Sequence, residues 1–259
     1  MTFYAQALAE LAPSQTATIA AHKLSNGEKV WIRKVGKTVP EWRYKLLGGI
    51  ASSLRLGALQ PVPNLGGHAA LAIEARRLRA LAVSGIQAPK LLAQSDTALM
   101  FSNVGSDTIL SEVENADDQI GVWQEGLAAI AGVHAQQQYL SQAFARNMIR
   151  ADDGSIGFID FEDDPGEYMP LALCQVRDYL CYLQSTAMWI YRRQNLGQAA
   201  AVWRQHQAGL PAEIRRQLQQ TTRRAQWLRH LKYKWMGNDT LRLSALGKLF
   251  YLAEHPATR

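Results

Sequence analysis

Two short apolar runs, Asn147 to Arg150 and Ser155 to Ile159, are separated by Ala151-Asp152-Asp153-Gly154. Asp and Gly tolerate the backbone angles of a tight reversal, so the stretch predicts a β-hairpin. With the reversal centred between Asp153 and Gly154, antiparallel pairing sets Asn147 opposite Asp160. An amide and a carboxylate on one rim are hard oxygen ligands, better suited to Mg²⁺ shared with phosphate oxygens than to zinc or copper. Glu162, Asp163 and Asp164 crowd further negative charge beside them. A bound cation would relieve that crowding, and a solvated acidic loop is the plainer alternative.

A chain of 259 residues with 47% hydrophobic content can bury a real core as one large or two small lobes. No apolar run reaches the roughly 18 to 20 residues that cross a bilayer. The opening MTFYAQALAELAPSQ carries acid where a signal peptide carries base, so a cytoplasmic protein is expected. Cys174 and Cys181 are seven apart on an apparent helix, too far for a disulfide, and read as buried thiols. The net charge of +6 is uneven. Bases gather at 33–55 and 211–234, whereas acids gather at 107–118 and 152–167, a pattern that suits an anionic partner.

Along the chain, residues 4–12 predict a helix, and Thr16–Leu24 and Lys29–Lys34 predict strands joined through Asn26-Gly27. Alternation in the second strand puts Val30, Ile32 and Lys34 on one face and Trp31 and Arg33 on the other. Residues 41–60 mix Trp42, Tyr44 and leucines with Arg43, Lys45 and Arg55, a composition that fits either the membrane interface or a helix packed on the small lobe. From His68 to Val83 the period is helical, and Glu74 falls on the stripe of Leu71, Leu78 and Leu81. An acid facing inward needs a partner. Arg77 or Arg79 would serve if Glu74 sat at the stripe's edge. Ala88–Leu92 and Ala98–Phe101 predict strands before a flexible 102–106, and Trp123, Leu127, Ile130 and His134 share one helix face. Further helices are expected at 171–191, with Cys174, Asp178, Cys181 and Ser185 on one face, and at 196–208, 211–232 and 239–254.

The order Ile-Asp-Phe-Glu after a hairpin, with an asparagine upstream, resembles the metal-binding part of the protein-kinase-like fold. The bacterial lipopolysaccharide-kinase and aminoglycoside- or choline-phosphotransferase branches are the nearest in pattern. The resemblance implies an α+β, two-lobed protein with ATP and Mg²⁺ as cofactors. A small antiparallel-sheet lobe would occupy 1–103 with 41–60 inserted, and a mostly helical lobe 104–259 would carry the site loop 138–167. Asp160-Phe161-Glu162 would take the place of the kinase Asp-Phe-Gly, with Asp160 and Asn147 as metal ligands and Glu162 beside them.

In such a fold a strand cation holds the phosphates. Lys34 behind Ile32 is preferred, paired with Glu74, and a slip of one residue gives the role to Arg33. Backbone groups from Met100 to Asn103 would hold the adenine, His134 would close its helix, and Asp178 would support the site loop from beneath. Two departures matter: ALAELAPSQTAT, where a phosphate-covering loop belongs, has no glycine, and the family's His-x-Asp-x-x-x-x-Asn becomes Leu140, Gln142 and Asn147. Gln142 can hold a hydroxyl but cannot take its proton near neutral pH. The expectation is therefore a kinase-like phosphotransferase for an anionic lipid, saccharide or small acceptor at the cytoplasmic membrane face, slow or with altered chemistry through Glu162 or Asp163. The alternative is a nucleotide-binding pseudokinase. The basic helix at 211–234, with Trp227, Tyr233 and Trp235, makes nucleic acid a third and less favoured partner.

Overall fold

The protein is described from a computed structural model that covers residues 2–37, 62, 66–231 and 237–256. The aromatic-basic segment 41–60 and the residues Tyr233 and Trp235 lie outside the described residues. The protein is α+β, with small antiparallel sheets and eight α-helices among the described residues. Among those residues no helix is long and apolar enough to cross a membrane. The chain divides into two compact units. The first takes residues 1–55, 60–106 and 150–168; the second takes 56–59, 107–149 and 169–259.

In the first unit, helix α1 (Phe3–Ser14) is capped by the Thr2 hydroxyl, which accepts from the Ala5 amide. Strands β1 (Ile19–Lys23) and β2 (Lys29–Lys34) follow, then α2 (Gly67–Val83), β3 (Leu91–Gln94) and β4 (Ala98–Ser102). They form one antiparallel sheet in the order β1-β2-β4-β3. Both faces of this sheet are covered. Val30 and Ile32 join Leu8, Leu24, Ala98 and Met100 in a core under α1, while Leu99, Phe101 and Trp31 pack with Leu71 and Ala75 of α2. Strand alternation thus sends successive β2 side chains to two different helices.

The connection after β4 is shorter than the sequence suggested. β4 runs to Ser102 and β5 (Gly105–Thr108) begins three residues later, so only Asn103 and Val104 lie between. Asn103 is tied down as well, its Oδ1 accepting from Trp31 Nε1 at 2.9 Å.

Strands β6 (Met148–Ala151) and β7 (Ile156–Phe158) form the expected hairpin. The Gly154 amide donates to Ala151 O and the Ala151 amide to Ser155 O, both at 2.9 Å, with Gly154 at φ +82°. This is a three-residue reversal with glycine in the left-handed region, as at Gly27 between β1 and β2. The pairing is therefore shifted by one from the symmetric one that opposed Asn147 to Asp160. β7 is anchored where the Phe158 amide donates to Gln87 O, 2.9 Å, and Gly157 is required because a Cβ there would overlap Val104.

The second unit holds α3 (Ile109–Asn115), α4 (Gln119–Ala135), α5 (Leu171–Arg192), α6 (Leu196–Ala208), α7 (Ala212–Ala225) and α8 (Gly237–Glu254). Helix α5 is its axis, packing against α3, α4, α6, α7 and α8. Trp123 Nε1 donates to Thr186 Oγ1 and Tyr182 OH to Trp123 O, each at 2.9 Å, so these two buried rings of α4 and α5 keep their polar atoms paired. Cys174 and Cys181 are buried and reduced.

Candidate functional site

In the first unit a single guanidinium organises three carboxylates. Arg33 Nε lies 2.9 Å from Glu74 Oε2, its Nη2 lies 3.5 Å from Asp160 Oδ1, and its Nη1 contacts Glu162 Oε1. Only arginine presents donors in a fork wide enough to address three acids at once. The partners come from β2, from α2 and from the segment that follows β7. Glu74 is 2% exposed, as its place on the apolar stripe required.

This arrangement corrects the preferred pairing of Glu74 with Lys34. Lys34 Nζ instead donates to Gln15 O at 2.8 Å, tying the exit of α1 to the end of β2. The alternation of β2 is as expected, but its Val30–Ile32 face lies under α1, and α2 covers the face of Trp31 and Arg33. Arg79 is engaged elsewhere, its Nη2 donating to Gln94 Oε1 at 2.6 Å.

The cluster thus brings one guanidinium and three carboxylates together. Burial pushes the Glu74 carboxyl up to about 7; Arg33 opposes the rise, Asp160 adds to it, and the Phe161 amide, which donates to Glu74, opposes it. Asp160 and Glu162 keep 30% and 27% of their side-chain surface, so neither carboxylate is closed off from solvent. Asp160 also has φ +73°, a conformation that costs a residue with a Cβ about 1 kcal/mol or more and is held only where the surroundings over-determine it. Behind this segment Arg76 clamps the following turn, its Nη2 meeting Asp164 Oδ2 at 2.8 Å and Glu167 Oε1 at 2.5 Å.

Beside the cluster is a cavity of about 190 Å³ lined by Arg33, Lys34, Lys37, Glu162 and the paired glycines Gly66 and Gly67. Its volume has room for phosphate groups. Met100 is fully buried and paired with both Ile32 and Ala93 across the central strand. Asn103 lies just past the ladder.

In the second unit the loop after α4 is suspended from one face of α5. The Leu140 amide donates to Asp178 Oδ2 at 2.8 Å, and His134 Nε2 lies 3.0 Å from the same oxygen. Gln175 Nε2 donates to Gln138 O at 3.0 Å, and the Ala145 amide donates to Ser185 Oγ at 3.0 Å. Three α5 side chains at 175, 178 and 185 thus hold the loop at three points, and the support expected of Asp178 is present. Within the loop Asn147 Nδ2 donates to Gln142 O at 3.2 Å, and Ser141, fully buried, is held at φ +67°. Gln142 and Asn147, the two polar groups singled out in this loop, are therefore joined through the Gln142 backbone.

Gln175, Ser185 and Arg76 were not singled out for these contacts from the sequence. Gln175 and Ser185 lie three before and seven after Asp178, on the same helix face, and that spacing was the available signal. No protein-family model matches the chain, and no curated protein sequence does. Among the described residues no group of three His, Cys, Asp or Glu side chains is arranged to hold a metal ion.

Proposed function

We propose that the protein is a two-lobed, kinase-like phosphotransferase that binds ATP with Mg²⁺. The observation that carries this reading is the convergence of Arg33, Glu74, Asp160 and Glu162 from three separate stretches of chain within one compact unit. Arg33 takes the phosphate-holding role in this proposal, with Glu74 positioning its guanidinium. Asp160 and Glu162 are hard oxygen donors that keep part of their surface exposed, which is the donor chemistry Mg²⁺ favours. A bound Mg²⁺ neutralises charge on the phosphoryl oxygens.

The residues of the chain divide the remaining work. Arg33 fixes phosphate orientation through paired N–H donors, and Lys34 and Lys37 line the adjoining cavity with further positive charge. Gln142, at the position where the resemblance expects the proton acceptor, cannot remove a hydroxyl proton near neutral pH. General-base help is typically worth about 10²–10⁴-fold, so turnover is expected to be slow rather than absent. The uneven basic surface suits an anionic lipid or saccharide acceptor at the cytoplasmic membrane face.

A second reading rests on a specific observation: in this structure all three nitrogens of the Arg33 fork already face carboxylates. A protein whose guanidinium is so committed would bind nucleotide as a structural ligand for a protein partner, as a pseudokinase does.

The two separate in one pair of measurements. Release of γ-phosphate that needs Mg²⁺ and disappears in Asp160→Ala supports the enzyme. Thermal stabilisation by ATP-Mg²⁺ without turnover supports the scaffold, and no stabilisation up to millimolar ATP-Mg²⁺ removes both.

A further inference from the structure

The second unit contains a larger cavity, of about 540 Å³, bounded by α6, α7 and the C-terminal end of α8. Its walls carry Arg204, Arg215, Arg223 and His255 against one carboxylate, Glu254. On α7 the lining residues Arg215, Gln219 and Arg223 are spaced four apart and so form one stripe, while Ile214, Leu218 and Ala225 of the same helix are buried. The groove face of α7 is therefore basic along its length.

Two of these arginines are oriented by helix ends. Arg215 Nη1 donates to Ala208 O at 3.2 Å, at the end of α6, and Arg204 Nη1 donates to Ala253 O at 3.4 Å, at the end of α8. Arg223 Nε lies 3.3 Å from Glu254 Oε1, and Gln226 Nε2 holds the other oxygen of that carboxylate at 2.8 Å. Each of the three arginine contacts uses one of the five N–H donors of its guanidinium. Three guanidinium groups thus line one concavity with a single acid among them, an arrangement that their mutual repulsion disfavours unless an anion enters.

We propose that this groove is a binding site for a small ligand bearing two or more phosphate groups. Guanidinium forks match phosphate oxygens in pairs, and three of them on separate walls address phosphates that point in different directions. The volume lies within the ~300–1,000 Å³ of small-molecule sites, and the cavity is bounded by three helices. A nucleic-acid duplex or a bilayer would need a convex or extended basic face. The site is separate in sequence and in unit from Arg33 and Asp160, and it stands whether or not the protein transfers phosphate.

The test is calorimetric titration of the full chain with inorganic tripolyphosphate at low ionic strength. Saturable binding with one site in the groove is expected, weakened at least tenfold in the double variant Arg204→Gln/Arg223→Gln. Arg216→Gln/Arg224→Gln removes the same amount of charge, here from α7 positions that do not line the cavity, and should change affinity by less than twofold. Glu254→Gln should tighten binding several-fold, a gain that a damaged fold cannot produce. Equal losses in the two double variants, unchanged affinity in the first, or no measurable binding to the parent protein would each overturn the proposal. So would tighter binding of an oligonucleotide, or of vesicles containing acidic phospholipid, that the groove variants leave intact.

Discussion

Arg33 concentrates in one planar group a task that a lysine could not share among three acids. Replacing it by lysine substitutes a compact ammonium for a wide planar fork, so the contacts to Glu74, Asp160 and Glu162 cannot all keep their geometry. Arg33→Lys should cost about 1–3 kcal/mol in urea unfolding, with an unchanged m value. An unaltered midpoint would show that the three contacts contribute nothing to stability. Glu74 supplies a pH signature. Its carboxyl rises from the ordinary 4.5 to about 7, so between those values the native state holds a proton that the unfolded chain has released. Stability must then fall as pH rises through that window, by up to about 3 kcal/mol from this group. Measured with a chelator present, the difference in stability between the parent and Glu74→Gln should shrink or change sign from pH 4.5 to 7 and level off above it. A difference that is flat across the window would exclude the raised carboxyl.

At the scale of elements, α5 works as a rail from which the preceding loop hangs. Asp178→Ala would leave the Leu140 amide and His134 Nε2 facing a buried gap, and losing an acceptor that serves two buried groups typically costs about 2–4 kcal/mol. Limited proteolysis should then cut within residues 136–147 well before the variant unfolds globally. Gly247 of α8 offers a test of opposite sign. Glycine to alanine inside a helix ordinarily stabilises by about 0.5–1 kcal/mol. Here the added Cβ would stand 2.8 Å from the Leu228 carbonyl carbon, in the backbone of the short turn Gln226–His230, so Gly247→Ala should destabilise by about 1–3 kcal/mol in thermal unfolding.

Periodicity located most of these elements because burial writes itself into spacing. The expected helix over 196–208 coincides with α6, the strand over 29–34 with β2, and Glu74 and Asp178 stood out as acids on apolar stripes. Spacing does not say which layer covers which face of a sheet. Hence Lys34 was preferred to Arg33 although the alternation was right, and hence the Asp153-Gly154 reversal gave a pairing one residue off. β5, with the sequence Gly-Ser-Asp-Thr, carries almost no strand signal and forms through pairing that a local reading cannot detect.

Considered as a whole molecule, the first unit is not a continuous piece of chain. Residues 150–168 belong to it, although more than forty residues of the second unit are made first. On a ribosome, Arg33 and Glu74 therefore emerge long before Asp160 and Glu162, and the nascent first unit must wait with only one of the three carboxylates that eventually surround the guanidinium. No single cut can release the two units as intact fragments. Synthesis of residues 1–106 alone should yield a product that a chaperone retains, until a separate peptide spanning 150–168 is supplied to complete it.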